Sequence, residues 1–145
     1  KSTRAFGPDD WAELRREQVA MVFQDLRLFP GLSAWDNLLL KNQLTGFFSE
    51  KELREHTERL GVAPFLSQKA ETLSYGQRQR IAIVRALSQP FRYLLLDEPF
   101  SHLDAANAAL AKSLIDEQVA RQGASMVLAT LGDDYGWPFQ NRLVL

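Results

Sequence analysis

Cysteine is absent from the 145 residues. That excludes disulfides and thiolate metal sites and leaves a cytosolic address open. No apolar run approaches the roughly 20 residues of a membrane-spanning helix, so work at a membrane would need spans from other segments or chains. A dominant charge is lacking too: 17 Lys and Arg stand against 18 Asp and Glu, for a net charge of −1. This balance gives no electrostatic case for nucleic acid or an anionic lipid surface, and no nucleic-acid partner is expected. The first residues are polar and basic with no apolar stretch behind them, so no signal peptide is visible. Low-complexity segments, internal repeats and linkers are also missing. The length suits one domain with a modest core, and 46% hydrophobic and 24% charged residues are ordinary for a globular chain.

The informative stretch runs from Leu73 to Asp104. Ser74 with Gln77 three positions on is a capping box, so a helix starts there. Ile81, Val84 and Leu87 recur at helical spacing, and Pro90 stops the run. A helix start with a hydroxyl and a glycine beside it is a ready anion site. Gly76 would let a phosphate come close. Tyr93 to Leu96 is short and apolar, as expected of a parallel strand buried on both faces. Asp97 and Glu98 follow at its carboxyl end, where ligands sit in open α/β sheets. Such a pair suits one carboxylate serving Mg²⁺ and the next positioning or activating a water.

Leu73-Ser74-Tyr75-Gly76-Gln77-Arg78-Gln79-Arg80, followed by Ile81 to Leu87, resembles the signature helix of ATP-binding cassette (ABC) ATPases. Leu94 to Pro99 resembles their Walker B strand with its catalytic glutamate. Ser101-His102-Leu103-Asp104 resembles their D-loop, and Val22-Phe23-Gln24-Asp25 their Q-loop. Four motifs in order cover nearly the whole chain. The resemblance implies a P-loop NTPase-like, mostly parallel α/β sheet with an inserted helical subdomain. Residues 1–32 and 89–145 would form the α/β part, and 33–88 the helical signature part. It implies ATP and Mg²⁺ as ligands. Glu98 would be general base or water-orienting residue, and Asp97 and Gln24 would serve Mg²⁺, Gln24 also the attacking water. Ser74, Tyr75, Gly76 and Gln77 would lie at the γ-phosphate of an ATP held by a second ABC subunit, with Asp104 at the dimer interface. The apolar loop 24–32 would meet a transmembrane subunit, placing the protein in the cytoplasm, peripheral to the inner face of the cell membrane.

Lys1-Ser2-Thr3 looks like the tail of a P-loop, but the glycines are missing and too few residues follow before the next strand. Lys1 to Phe6 reads instead as a loop leaving an earlier strand, with the family's P-loop and N-terminal strands outside the chain and the sheet incomplete. A short helix starts near Asp9, and Val19 to Phe23 reads as a strand. Ser33 caps a helix from Ala34 to Leu44 that Gly46 ends. Ser49 and Glu52 form a second capping box for a helix to Leu60, laced by Glu50–Arg54, Lys51–Glu55 and Glu55–Arg59 pairs. His56 on this charged helix reads as a solvated surface residue. Val62 to Leu66 forms a short helical turn. Beyond Asp104 a helix to about Arg121 turns Leu110, Ala111, Leu114, Ile115 and Val119 to one side. Ser125 to Thr130 reads as a buried strand, and Asn141 to Leu145 as a last one.

The sequence departs from the family at three places: the missing P-loop, Tyr75 where the family has a glycine, and Leu131 where it has a histidine. Tyr75 could crowd a phosphate or stack on a partner. Leu131 cannot hydrogen-bond a γ-phosphate, which implies slower or differently organised hydrolysis. The chain alone, without P-loop ligands, is expected not to hydrolyse ATP. Three readings stand: a transporter ATPase, a non-hydrolysing scaffold of ABC type, or an SMC-like DNA-repair ATPase. The third needs a long coiled coil between Gln24 and Leu73, and those 49 positions hold no sustained heptads.

Overall fold

A computed structural model describes residues 5–144. The expectations for Lys1-Ser2-Thr3 and for Leu145 lie outside the described residues. Three parallel strands form one sheet in the order β1 (Val19–Val22), β2 (Tyr93–Asp97), β3 (Ser125–Ala129). Their register pairs Val22 with Leu96 and Leu96 with Leu128. Among the described residues five α-helices accompany them: α1 (Pro8–Glu17), α2 (Ala34–Asn42), α3 (Glu50–Arg59), α4 (Tyr75–Leu87) and α5 (Ala105–Gln122). The expected α/β class with a parallel sheet and a helical insertion is what is found.

Each helix after the first starts where a side chain satisfies orphan N–H groups. The Ser33 hydroxyl accepts from Asp36 N–H at 3.0 Å, Ser49 from Glu52 N–H at 3.2 Å, Ser74 from Gln77 N–H at 3.1 Å, and the Asp104 carboxylate from Asn107 N–H at 2.7 Å. Left-handed Gly46, Gly61 and Gly123 follow the ends of α2, α3 and α5. Ala63–Phe65 and Ala70–Thr72 add 3₁₀ turns, the second not anticipated.

Helix α4 is the hub. Its Ile81, Ile83, Val84 and Leu87 are buried in one cluster with Leu38 of α2, Leu53 of α3, Leu94 and Leu96 of β2, and Leu114 and Ile115 of α5.

Several expectations are corrected. The sheet is buried on one face, not two. Ala20, Val22, Leu94 and Leu96 are buried, while Tyr93 on β2 is 53% exposed and Val127 on the edge strand β3 is 56% exposed. On the more buried face Leu94 and Leu96 join the helices in the core cluster. Residues 141–144 form no strand and lie exposed, because no neighbouring strand hydrogen-bonds to them among the described residues. Helix α2 stops at Asn42, whose side chain turns to bond both backbone groups of Phe48. Leu110 is exposed on α5, though Ala111, Leu114 and Ile115 face the core. Glu50–Arg54 pairs at 2.8 Å and Lys51–Glu55 at 3.8 Å, but Arg59 reaches across to Glu117 of α5 rather than to Glu55.

His56 is buried, edge-on to the Phe48 ring at 4.7 Å, and its Nε2 has no hydrogen-bond partner. The charged neighbours in sequence suggested a wet helix face, but His56 lies on the inner side of α3 with the buried Leu53 and Thr57, against the Phe48 ring. Burial pushes the imidazole below the ordinary histidine range, Glu117, Glu52 and Glu55 oppose this, and Arg59 adds to it. A folded-state value below the unfolded one means that the unfolded chain binds the proton better. Stability is therefore full above the unfolded value of about 6.5 and falls as pH drops from there toward the lower folded value. The urea midpoint should decline between about pH 7.5 and pH 5, and His56→Leu should remove much of that decline; an unchanged pH dependence in the variant would refute the assignment.

Candidate functional site at the carboxyl ends of the strands

Strand β2 delivers Asp97 and Glu98 to the carboxyl edge of the sheet. The ladder continues one residue further, with Glu98 N–H donating to Ala129 carbonyl at 3.0 Å. The chain then turns sharply at Glu98, whose φ of 44° is left-handed. Such a conformation costs a non-glycine residue on the order of 1–3 kcal/mol and persists only where the surroundings hold it. Gln79 of α4 is what holds it. Its Nε2 donates to the Glu98 carbonyl at 3.1 Å, and its Oε1 accepts from His102 N–H at 3.0 Å.

The Glu98 carboxylate faces the segment after β3. It accepts from Leu131 N–H at 2.6 Å and lies 3.5 Å from the Thr130 hydroxyl. The Leu131 side chain itself is 99% exposed, so the residue serves Glu98 through its backbone. Tyr135 lies beside the same carboxylate. Burial raises its phenol above the ordinary range, the Glu98 charge raises it further, and a hydrogen bond from Thr130 pulls the other way. It is a neutral hydroxyl that the sequence did not advertise.

An open cleft of about 490 Å³ lies next to this turn, lined by Phe23, Gln24, Asp25, Arg27, Tyr75 and Asp97. It unites three of the expected site residues: Gln24, Tyr75 and Asp97. No protein hydrogen bond reaches the Asp97 carboxylate among the described residues. Mg²⁺ takes one or two protein carboxylates and fills the rest of its octahedron with water and phosphate oxygens. One open carboxylate with an amide on the same cleft fits that demand, and among the described residues no larger acidic or histidine cluster competes with it.

The remaining expected residues are engaged locally. Ser74 and Gln77 close their capping box, Gln77 Oε1 accepting from Ser74 N–H at 2.9 Å. A Cβ on Gly76 would come within 2.9 Å of the His102 carbonyl oxygen, so the missing side chain admits the chain's own backbone. Asp104 caps α5; burial lowers the Arg80 guanidinium below its ordinary range, and the Asp104 charge opposes this. Tyr75, half-exposed on the cleft, does not stand free: its ring packs tilted against His102, with centroids 3.8 Å apart and planes at 46°.

Arg85 is the other residue that sequence reasoning missed. It donates to the carbonyls of Arg27 and Leu26, each at 2.7 Å, and both of those residues are left-handed. Burial lowers its guanidinium to about 10, which still leaves it charged at neutral pH. The signal was in the sequence: a cation inside the apolar run Ile81 to Leu87 must find partners.

The ABC transporter family model matches residues 2–101. The chain is 34% identical over 130 residues to the multiple sugar-binding transport ATP-binding protein MsmK of Streptococcus mutans, covering 88% of this chain and 34% of that protein. It is 35% identical over 142 residues to the phosphonates import ATP-binding protein PhnC of Stutzerimonas stutzeri, covering 89% and 51%. It thus spans about half or less of the length of these relatives. Among solved structures, the dimeric post-hydrolysis state of the ATP-binding cassette MJ0796 bound to ADP and Pi superposes with a TM-score of 0.75 at 31% identity, covering 90% of this chain and 59% of that one. With the family model matching most of the chain and the fold superposing on that cassette, the chain belongs to the ABC transporter family.

Proposed function

We propose that the protein carrying this chain binds and hydrolyses ATP and powers transport through a partner membrane subunit. The observation that carries this reading is the cleft at the carboxyl ends of β1 and β2, where Asp97 and Gln24 stand open to a ligand next to the braced Glu98. Asp97 and Gln24 would hold Mg²⁺, which supplies charge neutralisation for phosphate oxygens. Glu98 orients a water and accepts its proton; its position is set by the Leu131 N–H and by the turn that Gln79 holds. Ser74, Tyr75, Gly76 and Gln77 form the helix start that would meet a phosphate across a dimer with a second ABC subunit, with Asp104 at that interface.

The division into an α/β part (1–32 and 89–145) and a helical signature part (33–88) belongs to the same reading. The exposed Phe29 and Leu32 support docking of the 24–32 loop on a transmembrane subunit, and hence a cytoplasmic, membrane-peripheral place. The scaffold reading draws on Leu131, whose side chain offers nothing polar. The SMC-like reading is disfavoured by α2 and α3, at 9 and 10 residues too short for a coiled-coil arm.

Phosphate release by the full-length protein decides. Glu98→Gln should lower kcat by about 10²–10⁴-fold and leave ATP affinity within a few-fold; normal turnover in this variant would refute the role of Glu98. The exposed Leu131 side chain can be changed at little structural cost, and the backbone N–H to Glu98 remains. Leu131→His should raise kcat, by less than the roughly 2.7–4 kcal/mol that a full contact to developing charge is worth. No change in kcat would show that the missing imidazole is not limiting.

A further inference from the structure

Tyr75 touches three segments at once. Its hydroxyl donates to the Gln24 carbonyl at 2.8 Å, a contact spanning 51 positions of sequence. Its ring packs against His102 at 3.8 Å between centroids, the two planes tilted by 46°. The Arg78 guanidinium lies 5.1 Å from the ring centroid, a cation–π distance. The His102 carbonyl is meanwhile pressed so closely on Gly76 that no Cβ would fit. One side chain at the first turn of α4 thus bridges the loop after β1, which lines the acidic cleft, and the loop that follows Asp97 at the end of β2. Helix α4 also reaches these loops through Arg85, at the Leu26 and Arg27 carbonyls, and through Gln79, at the Glu98 carbonyl and the His102 N–H; Tyr75 is the one of the three that touches both loops.

We propose that Tyr75 is a positioning residue: through its hydroxyl it holds the Gln24 loop, and through its ring it holds the His102 loop, in fixed relation to the start of α4. This rests on the ATPase reading for its catalytic consequence but not for its structural half. The two halves separate chemically. Tyr75→Phe keeps the ring and deletes the hydroxyl; Tyr75→Ala deletes both.

The test uses the full-length protein and two readouts, amide hydrogen exchange without nucleotide and phosphate release with ATP. The probes are the Leu26 amide, bonded to Phe23 carbonyl, and the His102 amide, bonded to Gln79. A typical net hydrogen bond corresponds to about two- to tenfold in an equilibrium constant. Tyr75→Phe should speed exchange at Leu26 by about that factor and leave His102 protected, while lowering kcat by a similar factor with KM for ATP little changed. Tyr75→Ala should release both amides and lower kcat further, and Phe at this position should recover the His102 half. A Phe variant identical to wild type in exchange and kcat would overturn the proposal, as would an Ala variant whose His102 amide stays protected. Faster exchange with unchanged kcat would reduce Tyr75 to a local brace and overturn its role in positioning for the reaction. A wild-type protein that releases no phosphate overturns the ATPase reading and the catalytic half with it, and the exchange data then decide the structural half alone.

Discussion

Gln79 is 1% exposed, and a buried amide must find partners for both its ends or cost on the order of 1–3 kcal/mol. It finds them in the turn after β2, at the Glu98 carbonyl and the His102 N–H. This pair of bonds joins α4 to the acidic end of the sheet. Through it the left-handed Glu98 is tolerated, its carboxylate is turned toward Leu131, and His102 is brought under Tyr75. The geometry of the cleft depends on an amide that never faces it.

A half-buried polar group serves the other side of the cleft in the same way. Arg85 of α4 holds two carbonyls of the 24–32 loop, where consecutive residues adopt left-handed backbone. Burial disfavours the guanidinium charge, as its lowered value records, and charge-assisted bonds to two carbonyls offset that cost. Lys41 lies close enough for the Arg85 charge to add to its own desolvation and lower its ammonium. Helix α4 therefore reaches the acidic turn through Gln79, the Gln24 loop through Arg85, and both loops through Tyr75. A movement of α4 relative to the sheet would be felt at all three points together, which is the kind of rigid linkage that carries coupling between sites.

The segment after β3 is fixed by different means. Phe100 packs edge-on to Tyr135 at 4.8 Å, and Trp137 donates to Asp116 of α5 at 2.6 Å while Lys112 pairs with the same carboxylate at 2.8 Å. This anchors the chain just beyond Leu131 and keeps the Leu131 N–H in reach of Glu98, although the Leu131 side chain hangs in solvent.

The sequence by itself determined the helix starts and the strand ends. Ser33, Ser49, Ser74 and Asp104 cap in place because a cap is a local bond between residues three apart. Asp97 and Glu98 reach the carboxyl edge because a short apolar run must end there. The family followed from the same local motifs. Tertiary structure alone decided that Tyr75 packs against His102, that Gly76 admits a carbonyl, that Glu98 is left-handed, and that His56 is buried on a helix whose sequence is charged. Each of these is a contact between residues distant in the chain, and periodicity and spacing carry no information about which distant backbone will arrive.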